Sequence, residues 1–214
     1  MQAQRKGAGP VALLDTDPQG SLAEWWNVRE AKEPAFMHAH VAQLSATLGR
    51  MRSLGFNLLV IDTPPAITSA IEKVVQISDM VVIPARPSPH DLRAAGATVD
   101  LVEQIGRPIV FVVNAATKGA RITAEAAIAL SQHGTVAPVT VHQRTDFAAS
   151  MIDGRTVMEL EGASRSSEEV AALWDYLTTR LGKGERRTVL PTSGSLVPRR
   201  GPLGTKSNLL SGGV

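Results

Sequence analysis

Four polar residues stand where apolar runs end. Asp15 and Asp17 close the run in "VALLDTDPQGS", Asp62 closes "FNLLVIDTPPA", and Asn114 closes "FVVNAA". A buried strand has no packing use for carboxylates at its tip. An acid directly after four apolar strand residues is the Walker B arrangement, in which the carboxylate holds Mg²⁺, usually through water, beside nucleotide phosphates. A single acid at a strand end serves equally well as a cap for the next turn. Two such ends in one chain, each leading into a Pro-containing turn, point instead to phosphate and metal chemistry.

Those residues need strands to carry them. Five short runs rich in Val, Ile and Leu read as strands buried on both faces of a parallel sheet: Val11–Asp15, Phe56–Asp62, Met80–Pro84, Pro108–Asn114 and Val136–Val141. Helical spacing lies between them, with Val41, Leu44, Leu48 and Met51 on one face, and Leu92, Ala95, Val99 and Val102 on another. A last helix carries the stripe Val170, Leu173, Trp174, Leu177 and Leu181, opens on a Ser166/Glu169 capping box and stops at Gly182. This alternation predicts an α/β fold, an open, mostly parallel sheet with helices on both faces. Ligands of such sheets sit beyond the carboxyl ends of the strands, which places Asp15, Asp17, Asp62 and Asn114 along one rim.

Composition narrows the chemistry. The 214 residues contain no Cys, which excludes a thiol nucleophile, disulfides and thiolate-held metal or iron–sulfur clusters. No apolar run is long enough to span a bilayer and no signal core opens the chain, so the expected compartment is the cytoplasm, with no membrane partner. No Gly-x-Gly-x-x-Gly follows a strand, which removes a nicotinamide-dependent oxidoreductase. The net charge is only +2, but beyond Arg180 Lys183, Arg186, Arg187, Arg199, Arg200 and Lys206 face the single acid Glu185. Residues 183–214 therefore read as a basic, disordered tail after a 1–182 domain, either simply solvated or engaging a polyanion such as nucleic acid.

In register from about Gly9 to Leu181, "LLDTDPQGS", "LLVIDTPPA", "DMVVIPARPS", "FVVNAA" and "GRTVMEL" resemble the ordered landmarks of the ParA family of partition ATPases, relatives of MinD. The resemblance implies ATP and Mg²⁺ as cofactors. It implies Asp17 orienting the attacking water, Asp15 supporting the magnesium and phosphate side, and Asp62 as the water-mediated magnesium ligand. Asn114 would bond the adenine edge, while Pro84, Pro87 and Ser88 would shape the site. It also implies an ATP-dependent homodimer on non-specific DNA, associated with the nucleoid and stimulated by a ParB-like protein. The family's Lys-Gly-Gly-x-Gly-Lys-Thr phosphate loop has no counterpart in these 214 residues; "RKGAGP", Arg5 to Pro10, lacks its Gly-Lys-Thr end and leads into a strand. The expectation is thus a chain that begins about one βα unit late, ~25–35 residues. The alternative is a ParA-like scaffold or interaction module without ATPase activity. His38 and His40 read as a solvated helix start rather than a metal pair, since no third ligand lies nearby in sequence; Trp25 and Trp26 divide between core and a partner surface, and Arg144 and Arg155 fall where the family carries DNA-contacting basic residues.

Overall fold

A computed structural model describes residues 1–39, 41–64, 69–161 and 164–185. After a short helix α1 (Gln2–Arg5), β1 (Val11–Asp15) leads through a tight turn into α2 (Ser21–Asn27). The chain continues as β2 (Ala35–His38), a 3-10 turn (Val41–Gln43), α3 (Leu44–Ser53), β3 (Leu58–Asp62), α4 (Ser69–Ile77), β4 (Val81–Ala85) and α5 (Pro89–Ile105). It ends with β5 (Ile109–Val113), α6 (Arg121–Ser131), β6 (Thr135–Val136), α7 (Thr145–Met151) and α8 (Arg165–Glu185). Every strand pair is parallel, so the α/β class holds.

The strands do not form one sheet. They divide into two three-stranded sheets, β2-β1-β3 and β4-β5-β6. Burial follows this division. All five residues of β5 are buried; Ile109, Phe111 and Val113 pack against Val99 and Val102 of α5, and Val110 and Val112 face Leu173 and Leu177 of α8. Helices therefore cover both faces of that strand. β3 and β4, by contrast, each pair on one side only, and the expectation of burial on both faces fails there: Val60 is 47% and Val82 39% exposed.

Other departures have local causes. β2 escaped the sequence reading because three half-buried residues and the exposed His38 after Pro34 carry too little apolar signal. The expected strand over Val136–Val141 is reduced to Thr135–Val136, because Pro138 has no N–H to continue the ladder; Val141 N–H then donates to Val113 carbonyl as a separate contact. The box that caps α8 is Ser164 and Ser167, each hydroxyl accepting the other's backbone N–H at 3.2 Å. Ser166 instead donates to Asp146 at 2.8 Å, and Glu169 binds His142 and Arg144. The helix, expected to stop at Gly182, runs through it to Glu185; residues 186–214 of the expected tail lie outside the described residues. No helix among the described residues is long and apolar enough to cross a membrane.

Candidate functional site

Parallel pairing sets Asp15 directly opposite Asp62 at the carboxyl ends of β1 and β3. Neighbouring strands lie ~4.8 Å apart, so the two carboxylates start from adjacent positions on one rim. Thr16 locks this junction: its N–H and its hydroxyl both donate to Asp62 carbonyl, at 3.0 and 2.6 Å.

Asp15 is fully buried, and both its oxygens are used in building the turn. Oδ1 accepts Asp17 N–H at 2.9 Å and Oδ2 accepts Ala23 N–H at 3.1 Å in the first turn of α2. An ionised carboxylate satisfied by two amides at a helix start is a stable arrangement, since the helix end carries partial positive charge. Asp17 is half-buried, and its Oδ1 accepts Gln19 N–H at 2.9 Å, an Asx turn over Pro18. Gly20 closes that turn at φ 69°, a left-handed conformation glycine adopts without strain.

Asp62 faces solvent at the strand tip. Partial desolvation, then repulsion from Asp15 and Asp17, raise its pKa above the ordinary aspartate value, while the Thr63 N–H opposes them. The sign follows directly. A raised pKa means the folded protein binds this proton more tightly than the unfolded chain, so ionised Asp62 costs stability at neutral pH and the cost disappears as pH falls through the raised value. Asp62→Asn is expected to raise Tm at neutral pH, by about 1–3 °C given the exposure. The gain should vanish in acid; a lowered Tm at neutral pH would contradict the repulsion.

A cation offers the same relief. Among the described residues no three His, Asp or Glu side chains converge to hold a metal alone. The donor set suits Mg²⁺, which keeps several waters and takes one or two carboxylates plus substrate phosphates.

Asn114 is not brought to this rim by strand pairing. It ends β5 in the second sheet, where its N–H donates to Ala85 carbonyl at 2.9 Å, and Ala115 follows at φ 49°. Pro84 lies within β4, one residue before its end, and Ser88 caps α5 by accepting Asp91 N–H at 3.2 Å. His38 Nδ1 lies 3.2 Å from Asp15 carbonyl; His40 and Pro65 fall outside the described residues. Arg144 and Arg155 are engaged in ion pairs with Glu169 and Asp153.

Sequence reasoning missed a clamp that holds the turn from behind. Arg29, just past α2, has a side chain 1% exposed and gives both terminal nitrogens to Glu159. It also donates to Gly154 carbonyl at 2.7 Å and, through Nε, to Glu33 carbonyl at 2.8 Å. Trp25 Nε1 donates to Arg155 carbonyl at 3.2 Å, and Arg29 lies over the Trp25 ring at 5.4 Å. Trp26 stacks on Phe36 at 5.4 Å. Neither tryptophan is fully buried, contrary to the expected core placement of one of them. The "GRTVMEL" landmark thus has a structural meaning: Gly154 and Glu159 receive the arginine that anchors the aspartate turn's helix. An acid five residues after a glycine was visible; its partner 130 residues away was not.

Parallel α/β layers with carboxylates at adjacent strand ends have the fold of the ParA/MinD-type deviant Walker ATPases, to which the chain is similar. Among curated relatives, it is 26% identical over 172 residues to "Maintenance of carboxysome distribution protein A" of Halothiobacillus neapolitanus, spanning 75% of this chain and 79% of that protein. The protein of the same description from Gloeobacter kilaueensis is 42% identical over 91 residues, 42% of this chain and 41% of that one. Apo McdA from Cyanothece superposes with TM-score 0.67 at 15% identity, covering 82% of this chain and 90% of that one. MinD of Pyrococcus horikoshii, complexed with Mg-ADP, gives TM-score 0.68 at 10% identity, covering 86% and 89%. A putative plasmid partition protein of Borrelia burgdorferi bound to AMPPNP gives 0.64 at 13%, covering 84% and 94%. No family model matches the chain.

Proposed function

We propose that this chain works as a ParA-like, ATP-switched ATPase that distributes a cargo within the cytoplasm. The observation carrying this reading is the in-register pair Asp15 and Asp62, with Asp17 on the turn between β1 and α2. In this reading Asp62 holds Mg²⁺ through water, and the bound ion neutralises phosphate charge. Asp15, saturated by Asp17 and Ala23 amides, positions the turn on the magnesium and phosphate side. Asp17 keeps one oxygen directed away from Gln19 and orients the attacking water. Asn114 accepts and donates along the adenine edge, and Pro84, with Pro87 and Ser88, walls the site.

The cargo is a large protein assembly, in line with the carboxysome named in both curated relatives. The switch is an ATP-dependent homodimer that uses nucleoid DNA as a sequence-indifferent track and answers to a ParB-like adaptor. DNA retention should then fall steeply with salt and ignore sequence, because phosphate contacts release counterions and read no bases.

The test joins a strand, a Gly-Lys-Thr phosphate loop and a helix ahead of Met1 and measures turnover. ATPase activity is expected, and Asp17→Ala should lower it by about 10²–10⁴-fold, the usual scale for a lost general base or water-orienting group, with nucleotide binding spared. Unchanged turnover in Asp17→Ala would overturn the assignment. The lack of a Gly-Lys-Thr loop in these 214 residues favours a second reading, a ParA-like scaffold. Partner capture independent of nucleotide in both proteins would select it.

A further inference from the structure

Helix α7 is largely apolar on two faces, and one of them stands open. Phe147 packs with Leu173 and Tyr176 of α8, and Ser150 is buried on the same side. On the other side Thr145, Ala148, Ala149 and Ile152 follow a spacing of three and four, and all are exposed. Met151 ends the helix 57% exposed, and Ile152 is 82% exposed. Val28, just past α2 and 55% exposed, belongs to the same patch: Arg29 packs so tightly on Gly154 that a Cβ there would lie 2.5 Å from Arg29 Cα. Lone exposed apolar residues are ordinary, but three large ones brought together from two segments mark an interaction surface.

The rim of this patch is acidic. Glu24 lies one helical turn before Val28, Glu30 follows two residues after it, and Glu161 is near enough to act on the Arg155 charge. Asp153 is already neutralised by Arg155. Among the described residues Glu24, Glu30 and Glu161 belong to no salt bridge, against the single unpaired cation Lys32 on the loop before β2. A complementary occupant is therefore apolar and cationic. The chain itself carries one: residues 186–214 hold five cations and no acid, and Leu196 and Val197 stand directly before Pro198, Arg199 and Arg200. Pro198 biases Val197 to extended backbone, so less freedom is lost on docking. Reach selects this segment over Val189 and Leu190. The 21 residues of α8 rise ~1.5 Å each, about 30 Å in all, and Glu161 stands just ahead of its first turn. An extended chain needs about ten residues at ~3.3 Å each to return that distance from Glu185, which brings it to Leu196.

We propose that segment 196–200 docks on this patch of its own chain, with Leu196 and Val197 covering Met151, Ile152 and Val28, and Arg199 and Arg200 meeting Glu24, Glu30 and Glu161. Docking within one chain is intramolecular, with an effective concentration of about a millimolar for a short linker, so a contact that a free peptide makes only weakly is filled. Docked, the two arginines are withdrawn from any external polyanion, and the patch is closed to other proteins. The contact needs no nucleotide, so it stands or falls separately from the hydrolytic reading.

The test uses the full 214-residue protein, whose lack of Cys lets Ser195→Cys carry a single nitroxide. The methyl NMR signals of Val28, Met151 and Ile152 should be lost in that protein, while those of Ile122 and Ile128, also exposed but on α6, are kept. Arg199→Glu with Arg200→Glu should restore the lost signals, and adding Glu24→Lys with Glu30→Lys should remove them again. The tail substitutions alter no described residue, so their result decides the matter if the α2 variant does not fold. Retained signals with the native tail, equal loss at Ile128, or loss unaffected by the tail substitutions would each overturn the proposal. So would loss carried between molecules when nitroxide-bearing protein is mixed with isotope-labelled protein, which would put a second copy on the patch.

Discussion

Glu159→Ala is expected to cost about 3–5 kcal/mol, the range seen when one partner of a buried ion pair is removed and the other charge stays behind. That is a large share of a total stability of ~5–15 kcal/mol. Arg29, with a side chain only 1% exposed, has no route to water without displacing Trp25 and the Gly154 loop. Thermal unfolding should fall by roughly 6–20 °C, since each kcal/mol is worth about 2–4 °C in a domain of this size. Gly154→Ala attacks the same joint sterically: its Cβ would lie 2.5 Å from Arg29 Cα, at a φ of 72° that alanine resists. Asp153→Ala, which removes an exposed pair with Arg155, should change stability by less than ~1 kcal/mol. Burial alone would raise the Glu159 pKa, but hydrogen bonds from Arg29 and Thr156 prevail and lower it. The clamp's contribution is therefore complete above the ordinary glutamate range and is lost as pH falls through the lowered value. An Asp153→Ala loss as large as that of Glu159→Ala would remove the clamp from the account.

The second large effect concerns nucleotide. The 214-residue chain should bind ATP·Mg²⁺ about three to six powers of ten more weakly than a protein with a complete phosphate loop. Such a loop supplies several charge-assisted hydrogen bonds, each worth ~1.5–3 kcal/mol, and losing three of them gives that range. What the sequence does place at the rim is carboxylate, which repels a triphosphate unless Mg²⁺ lies between. Isothermal titration with ATP·Mg²⁺ measures this, and micromolar affinity would show a phosphate site built from other residues.

The parts legible in the sequence share a physical reason: their signals are local. β1 is a continuous apolar run, α5 carries its own helical period, and a carboxylate at the end of an apolar run shows itself within six residues. Thus Asp15 opposite Asp62 follows from reading two strand ends and knowing that both are parallel. Three features depended on distant partners and stayed hidden. Glu169 looked like half of a capping box because its real partners, His142 and Arg144, lie more than 20 residues away. Arg29 carries no local signal of burial, because its partner Glu159 lies 130 residues away. The partial exposure of β3 and β4 contradicted their continuous apolar runs, because burial of a strand depends on what pairs with its edges, and no window of the strand's own residues contains that information.

The central claim is that the tips of β1 and β3 face a metal-bound nucleotide, and paramagnetic relaxation tests it on the protein carrying the added strand, phosphate loop and helix. Aspartate carboxyl carbons would be followed by NMR at millimolar ATP while Mg²⁺ is replaced stepwise by Mn²⁺. The account predicts broadening first at Asp62, then at Asp17 and Asp15, with Asp153 and Asp175 sharp at the same Mn²⁺ fraction. Uniform broadening that follows only each carboxylate's exposure, with Asp62 no more affected than Asp153, would contradict it.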